Sequence, residues 1–290
     1  MSSTPPRYRL VIFDAIDDPK ELRDLISNAT GAHPTDAVQW LAKAPGVWPK
    51  ELDEAAIRTL LDGLYEFGVA AEAWRIDQFP DLSPPRTIHR AACLDDGLRI
   101  EGLRGEPTHW VPWDRVEMIC AGCVAADAGR ARGTPFWPST VVSGLRAIAL
   151  RKPRPFAVGG RSQRTPRDPV GEVLVVRRDP RIVFRFVENQ MNYAYLGDRL
   201  KESAADNFPI FLADLCARSA QAFLTDSTRA LLERRECGEN DFPSSQAILE
   251  HATLQLLWSW YRRDRDSRNR SLLEDPTDPD VATDVDAESP

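Results

Sequence analysis

The chain has 290 residues, of which 42% are apolar and 28% charged, and a formal charge of -7 at pH 7. That length admits one large domain or two modest ones with real cores, and the acidic balance excludes bulk nucleic-acid binding, which needs a cationic face. No apolar run approaches the ~18 residues of a membrane span, and Met1-Ser2-Ser3-Thr4-Pro5-Pro6 lacks the apolar core of a signal peptide, so a cytoplasmic location is expected.

Tyr8-Arg9-Leu10-Val11-Ile12-Phe13 reads as a strand, being short, β-prone and preceded by two prolines. A helix is expected from Pro19, because Pro suits a first turn and Asp17 and Asp18 complement the helix dipole. Leu22, Leu25 and Ile26 give it an apolar face. A second helix is predicted from Pro34 to Lys43, with Ala37, Trp40 and Leu41 facing inward and Pro45-Gly46 ending it. A third runs from Asp53 to Phe67, with Ala56, Leu60, Leu61, Leu64 and Tyr65 on one side and Gly68 as its C-cap. Val69 to Ile76 closes the unit as a strand.

Residues 79–86 hold Pro80, Pro84 and Pro85 and read as a linker. Short β-like runs follow at 87–93, 98–102, 109–112, 115–120, 147–151, 172–177, 181–187 and 191–195, punctuated by Gly, Pro and Asp. This spacing predicts an antiparallel sheet or barrel. One long helix is expected from Asn207 to about Arg234 and another from Ser244 to about Arg263. The acidic end of the chain, residues 266–290, reads as a disordered tail.

Ala29-Thr30-Gly31-Ala32-His33-Pro34-Thr35-Asp36-Ala37 with Ala44-Pro45 resembles the signature of the C-terminal domain of the bacterial ribosomal stalk protein L-seven/L-twelve. Asp53-Glu54-Ala55-Ala56, Leu60-Leu61, Gly68 and the run 71–75 are similar to that family's last helix and strand. The resemblance covers about a quarter of the chain and implies a βααβαβ-type domain. It also implies a binding face on the first two helices, at Asp24, Ser27, Thr35 and Val38, where the family carries basic groups that meet translation GTPases. None of the four is basic, so a working ribosomal role is not expected. The ClpS protease adaptor shares this fold. Residues 6–12 resemble its first strand and Asp17-Asp18-Pro19 its acidic pocket edge, but Ala44-Pro45-Gly46 stands where that adaptor uses a histidine. Further on, Pro112-Trp113-Asp114-Arg115-Val116, the following strands and a closing helix resemble a bacterial pleckstrin-homology-type domain in architecture.

Candidate chemistry is sparse. Five cysteines, Cys93, Cys120, Cys123, Cys216 and Cys237, are odd in number and widely spaced, which predicts no disulfide framework. Cys120-Ala121-Gly122-Cys123 has the spacing of half a zinc site or a redox pair, with Cys93, His89 and His109 as further ligands if they converge. The simpler reading is small residues at a strand end. Glu117 and Glu188 stand apart, and Asp95-Asp96-Gly97 reads as a hairpin turn. Arg146, Arg151, Lys152, Arg154, Arg161, Arg164 and Arg167 crowd one Pro/Gly-rich segment that suits an anionic ligand, an acidic partner or the chain's own tail.

The expectation is an α+β chain of two domains. Residues 1–78 form a stalk-like (ClpS-like) unit, and residues 87–265 form a β-rich, pleckstrin-homology-like unit with closing helices. The function expected is a non-catalytic adaptor that binds another protein and needs no cofactor. The alternatives are a translation- or proteolysis-linked adaptor, or a zinc- or thiol-dependent enzyme built on Cys120 and Cys123.

Overall fold

The computed structural model describes residues 5–82, 84–102, 107–125, 169–234 and 241–273, which form an α+β structure. Its first unit runs β1 (Tyr8–Ile12), α1 (Arg23–Thr30), α2 (Pro34–Leu41), β2 (Gly46–Val47), α3 (Glu54–Glu66) and β3 (Ala71–Arg75). The strands form an antiparallel sheet in the order β2-β1-β3. Period-two alternation on β1 sends Leu10 and Ile12 under the helices, while Val11 points to the other face. Both faces are buried at the centre, which is why the strand shows no polar alternation.

Helix α1 begins at Arg23, later than Pro19, because Asp18 first holds a turn by accepting from the Lys20 and Glu21 amides. Asp53 caps α3 by accepting from the Ala56 amide at 2.8 Å, and Gly68 turns the chain out of it with φ +69°. A Cβ at Gly63 would stand 2.5 Å from a Leu25 methyl, so the glycine gives the Leu25 side chain of α1 room to lie against α3. The buried face of α3 is Ile57, Leu60 and Leu64. Tyr65, expected on that face, is 84% exposed. Trp40 also departs from expectation. It lies half-buried at the rim, edge-on to the fully enclosed Trp48 at 4.5 Å, with Lys50 over its ring.

The second unit has two sheets. One is a meander of β5 (Ala91–Cys93), β6 (Gly97–Ile100) and β7 (His109–Pro112). The other has the order β11-β8-β9-β10-β4, from β4 (Arg86–Ile88), β8 (Val116–Val124), β9 (Val170–Arg177), β10 (Ile182–Val187) and β11 (Phe223–Leu224). Its centre is antiparallel, but both edge pairings, β10–β4 and β11–β8, are parallel, so the expected all-antiparallel sheet is mixed. The run expected as one strand over 87–93 splits between the two sheets. Residues 191–195 form no strand; a 3-10 turn starts at Ala194.

The helix expected from 207 to 234 is two: α4 (Ala204–Arg218) and α5 (Asp226–Arg234). The break follows from Thr225. Its hydroxyl accepts from the Thr228 amide, the bond that starts a new helix. Thr228 Oγ1 in turn accepts from the Ala121 amide at 2.8 Å and donates to the Ile119 carbonyl at 3.1 Å, closing backbone groups on β8. The last helix, α6 (Ser245–Leu273), outruns its predicted end, so residues 266–273 are helical rather than tail.

The large sheet is buried on both sides. Ile119, Val173, Val175, Phe184 and Phe186 meet α4 and the meander sheet. Met118, Cys120, Leu174, Val176 and Val183 meet Ala247, Ile248, Ala252 and Leu256 of α6. Helix α6 also covers the outer face of the first unit's sheet, through Leu254 and Leu257 against Val11, Val47 and Trp74. The first half of α6 carries apolar residues on both sides and is enclosed between the two sheets, while Arg262 to Ser267 run out into solvent. The segment expected as a linker is packed into the same seam: Leu82 is 4% exposed and Phe79 joins the cluster with Val11.

Candidate binding site

Helices α1 and α2 pack side by side, so Asp24, Ser27, Thr35 and Val38 share one helical layer. Asp24 is exposed and paired with Arg23 at 2.7 Å, and that hydrogen bond holds its carboxyl below the usual range. Thr35 opens α2, where its amide donates to His33 Nδ1 at 3.3 Å. Val38 is half-buried, and Ser27 Oγ is enclosed without a hydrogen-bond partner. The layer carries short polar and apolar groups around one neutralised ion pair. At the far end of α3, Tyr65 and Phe67 stand 84% and 51% exposed, a pair of aromatic rings left to solvent.

Cys120 and Cys123 are three positions apart on a strand, and they point to opposite faces of β8. Cys120 sits with Met118 and Leu174, and Cys123 with Ile119 and Val173. One ion cannot be held by both. Cys120 is fully enclosed and burial pushes its thiol up to about 12, the reverse of an activated nucleophile. Cys123 is disulfide-bonded, a departure from the expectation drawn from cysteine count, while Cys93, Cys120 and Cys216 are free.

The suggested accessory ligands are occupied elsewhere. His89 Nδ1 lies 3.0 Å from the Gln190 carbonyl, and His109 Nε2 lies 3.2 Å from Arg86. Cys93 is buried, which pushes its thiol up to about 12 despite a hydrogen bond with Tyr195. No group of three or more potential metal ligands exists among the described residues. Asp95 and Asp96 do form the β5–β6 turn, where Leu94 N donates to Gly97 O. Glu117 accepts from Trp260, and Glu188 accepts from the Gly171 amide while burial raises its pKa. The arginine-rich stretch from Arg146 to Arg167 lies outside the described residues, as does the chain beyond 273.

A buried ion network fixes the start of α6. Arg185 donates to both oxygens of Glu172 at 2.7 Å, and Ser245 Oγ donates to Glu172 Oε2 at 2.8 Å. Glu172 is only 2% exposed, so this bidentate pairing compensates its desolvation. Further along α6, Trp260 lies 5.3 Å from Trp74 of β3, donates to Glu117 of β8 at 2.8 Å, and carries Arg181 over its ring. It ties the two units together. Phe13 packs in tilted geometry against Trp258 and Tyr261, with ring centroids at 5.2 and 4.8 Å.

Where this seam opens, it leaves a cleft of about 410 Å³. Arg9 and Val47 form the sheet wall, the 76–82 segment forms the floor, and Gln246, Leu249, Glu250 and Thr253 form the helix wall. Sequence reasoning missed it, since the segment reads as a linker. The signal was present in Phe79 and Leu82, two large apolar residues among prolines. Comparison with protein-family models, curated proteins and solved structures found no match for this chain. No helix of the described residues is long and apolar enough to cross a membrane.

Proposed function

We propose that the chain is a non-catalytic adaptor whose first unit presents its helical layer to a protein partner. The supporting observation is the way that unit is mounted. Helix α6 covers the free face of its sheet, so α1, α2 and α3 form its outward side. A module held by its back and exposing aromatic side chains is suited to docking, because such rings supply contact area at little entropic cost. The element order β1-α1-α2-β2-α3-β3 supports a kinship with the ribosomal stalk C-terminal fold and ClpS-like folds. Two sheets sharing a core with α4 support the weaker pleckstrin-homology-like reading of the second unit.

The role we infer is not that of a stalk subunit, because Asp24, Ser27, Thr35 and Val38 offer no cationic face. The test is affinity capture by the full chain, with wild type compared against Thr35→Glu/Val38→Arg and against Tyr65→Ser/Phe67→Ser. A partner retained by wild type and by Cys120→Ser, but lost by either surface variant, supports the reading. Partners unchanged by both surface variants overturn it.

A further inference from the structure

The cleft between the units is lined by three charged groups: Arg9 on the sheet wall, Asp81 on the floor and Glu250 on the helix wall. Arg9 leaves β1 on the side facing α6, and its guanidinium lies over the Phe79 ring, 4.9 Å from the centroid. Among the described residues it has no carboxylate partner. Across the cleft, Gln246 Nε2 donates to Glu250 Oε1 at 3.1 Å, while Glu250 Oε2 is enclosed with no hydrogen-bond partner. Phe79, Leu82 and Leu249 supply apolar surface beside them.

A mere packing gap at a seam would be lined by apolar atoms, since uncompensated charge in a partly dry site costs free energy. Here Arg9 and Glu250 line one cleft with Asp81, and neither of the two forms an ion pair among the described residues; burial raises the pKa of Glu250. A guanidinium stacked on an aromatic ring presents a preformed fork that matches a carboxylate, and a half-satisfied carboxylate calls for a cationic donor. The volume falls in the range of roughly 300–1,000 Å³ usual for small-ligand sites, which favour domain boundaries.

We propose that this cleft binds a small amphipathic zwitterion, either a free amino acid or a short peptide with a large apolar side chain. Its carboxylate meets Arg9, its ammonium meets Glu250, and its side chain lies on Phe79, Leu82 and Leu249. Because the walls come from β1 and β2 on one side and α6 on the other, the ligand bridges both units. Binding therefore stabilises their docked arrangement by mass action. This inference is independent of the adaptor reading, whose surface lies on the helical layer.

The full chain is titrated with L-leucine and with L-leucyl-L-leucine, which separate the free amino acid from the peptide. At least one should give saturable heat and raise the unfolding temperature. N-acetyl-L-leucine lacks the ammonium and L-leucinamide lacks the carboxylate. Each should bind about tenfold or more weakly than leucine, the effect of one lost charge-assisted hydrogen bond. In Arg9→Gln, leucine and leucinamide should become equal; in Glu250→Gln, leucine and N-acetyl-leucine should. Should Arg9→Gln unfold, Thr253→Leu narrows the same cleft from the helix wall and should abolish binding with the fold intact. The proposal is overturned if neither zwitterion binds at millimolar concentration. It is equally overturned if the capped derivatives bind as tightly as the zwitterions, or if Glu250→Gln and Thr253→Leu leave affinity unchanged.

Discussion

Against the five-stranded sheet, α6 packs small and aliphatic residues, Ala247, Ile248, Ala252 and Leu256, and starts from the Glu172–Arg185–Ser245 network. Against the three-stranded sheet it packs Leu254, Leu257, Trp258, Trp260 and Tyr261. The first contact is close and fixed by ions whose geometry admits one register. The second is aromatic, held by tilted rings worth ~0.5–1.5 kcal/mol each beyond their area, and it leaves a cleft. One helix thus belongs to the core of one unit and serves as a mounting plate for the other. The seam should yield before the core does.

The largest effect should follow from Glu172→Ala, which strands Arg185 beside a buried sheet face and removes the anchor of Ser245. Breaking a buried pair from one side costs about 3–5 kcal/mol, and urea unfolding should show that loss across the whole chain. Leu257→Ala should cost less, about 2–3 kcal/mol, because its 0% exposure comes from the seam. Its signature is local: amide exchange should quicken in β1 and β3 while β8 and β9 stay protected. Equal loosening of both sheets by Leu257→Ala would show that the seam and the core are one cooperative structure.

The pH dependence separates the two sides again. His251 faces Phe242 at 5.2 Å on the five-stranded side, and burial lowers its pKa below the ordinary 6.5 although Asp226 opposes that shift. Folding therefore favours the neutral ring. Above pH ~6.5 both states are neutral and nothing is lost; as pH falls below that value the unfolded chain takes up the proton first, and stability declines until the folded pKa is passed. Urea midpoints measured from pH 7.5 down to pH 5 should fall in wild type and fall less in His251→Phe. Identical slopes would remove His251 from the account.

The first unit was more legible in the sequence than the second, and the reason is local punctuation. Pro34, Asp53 and Gly68 mark helix ends by interactions within a few residues, and the elements lie close to where those marks place them. In the second unit, the Thr225-Asp226-Ser227-Thr228 cap lies inside an apolar pattern that masks it, so the pattern predicts one helix where the structure has α4 and α5. Long-range contacts were less accessible still. That Phe79, Leu82 and Trp260 share a seam depends on how two sheets meet on α6, which no periodicity encodes. Cys120 and Cys123 were misleading for a related reason: a chelating spacing in a loop becomes a divergent one on a strand.

The smallest effect expected is that of Asp24→Asn, and its smallness is informative. The Arg23–Asp24 pair is short, but its side chains are 45% and 70% exposed, and neighbours in sequence hold each other with little ordering of the rest. Exposed pairs of this kind contribute little, and salt screens them. The urea unfolding curve of Asp24→Asn should therefore overlay that of wild type. If α1 is a docking surface rather than a structural one, the same substitution should alter partner capture while leaving stability alone, since it frees the Arg23 guanidinium and makes the layer locally cationic. A clear stability loss would instead assign the pair to holding α1 in place, and would move the docking surface toward Tyr65 and Phe67.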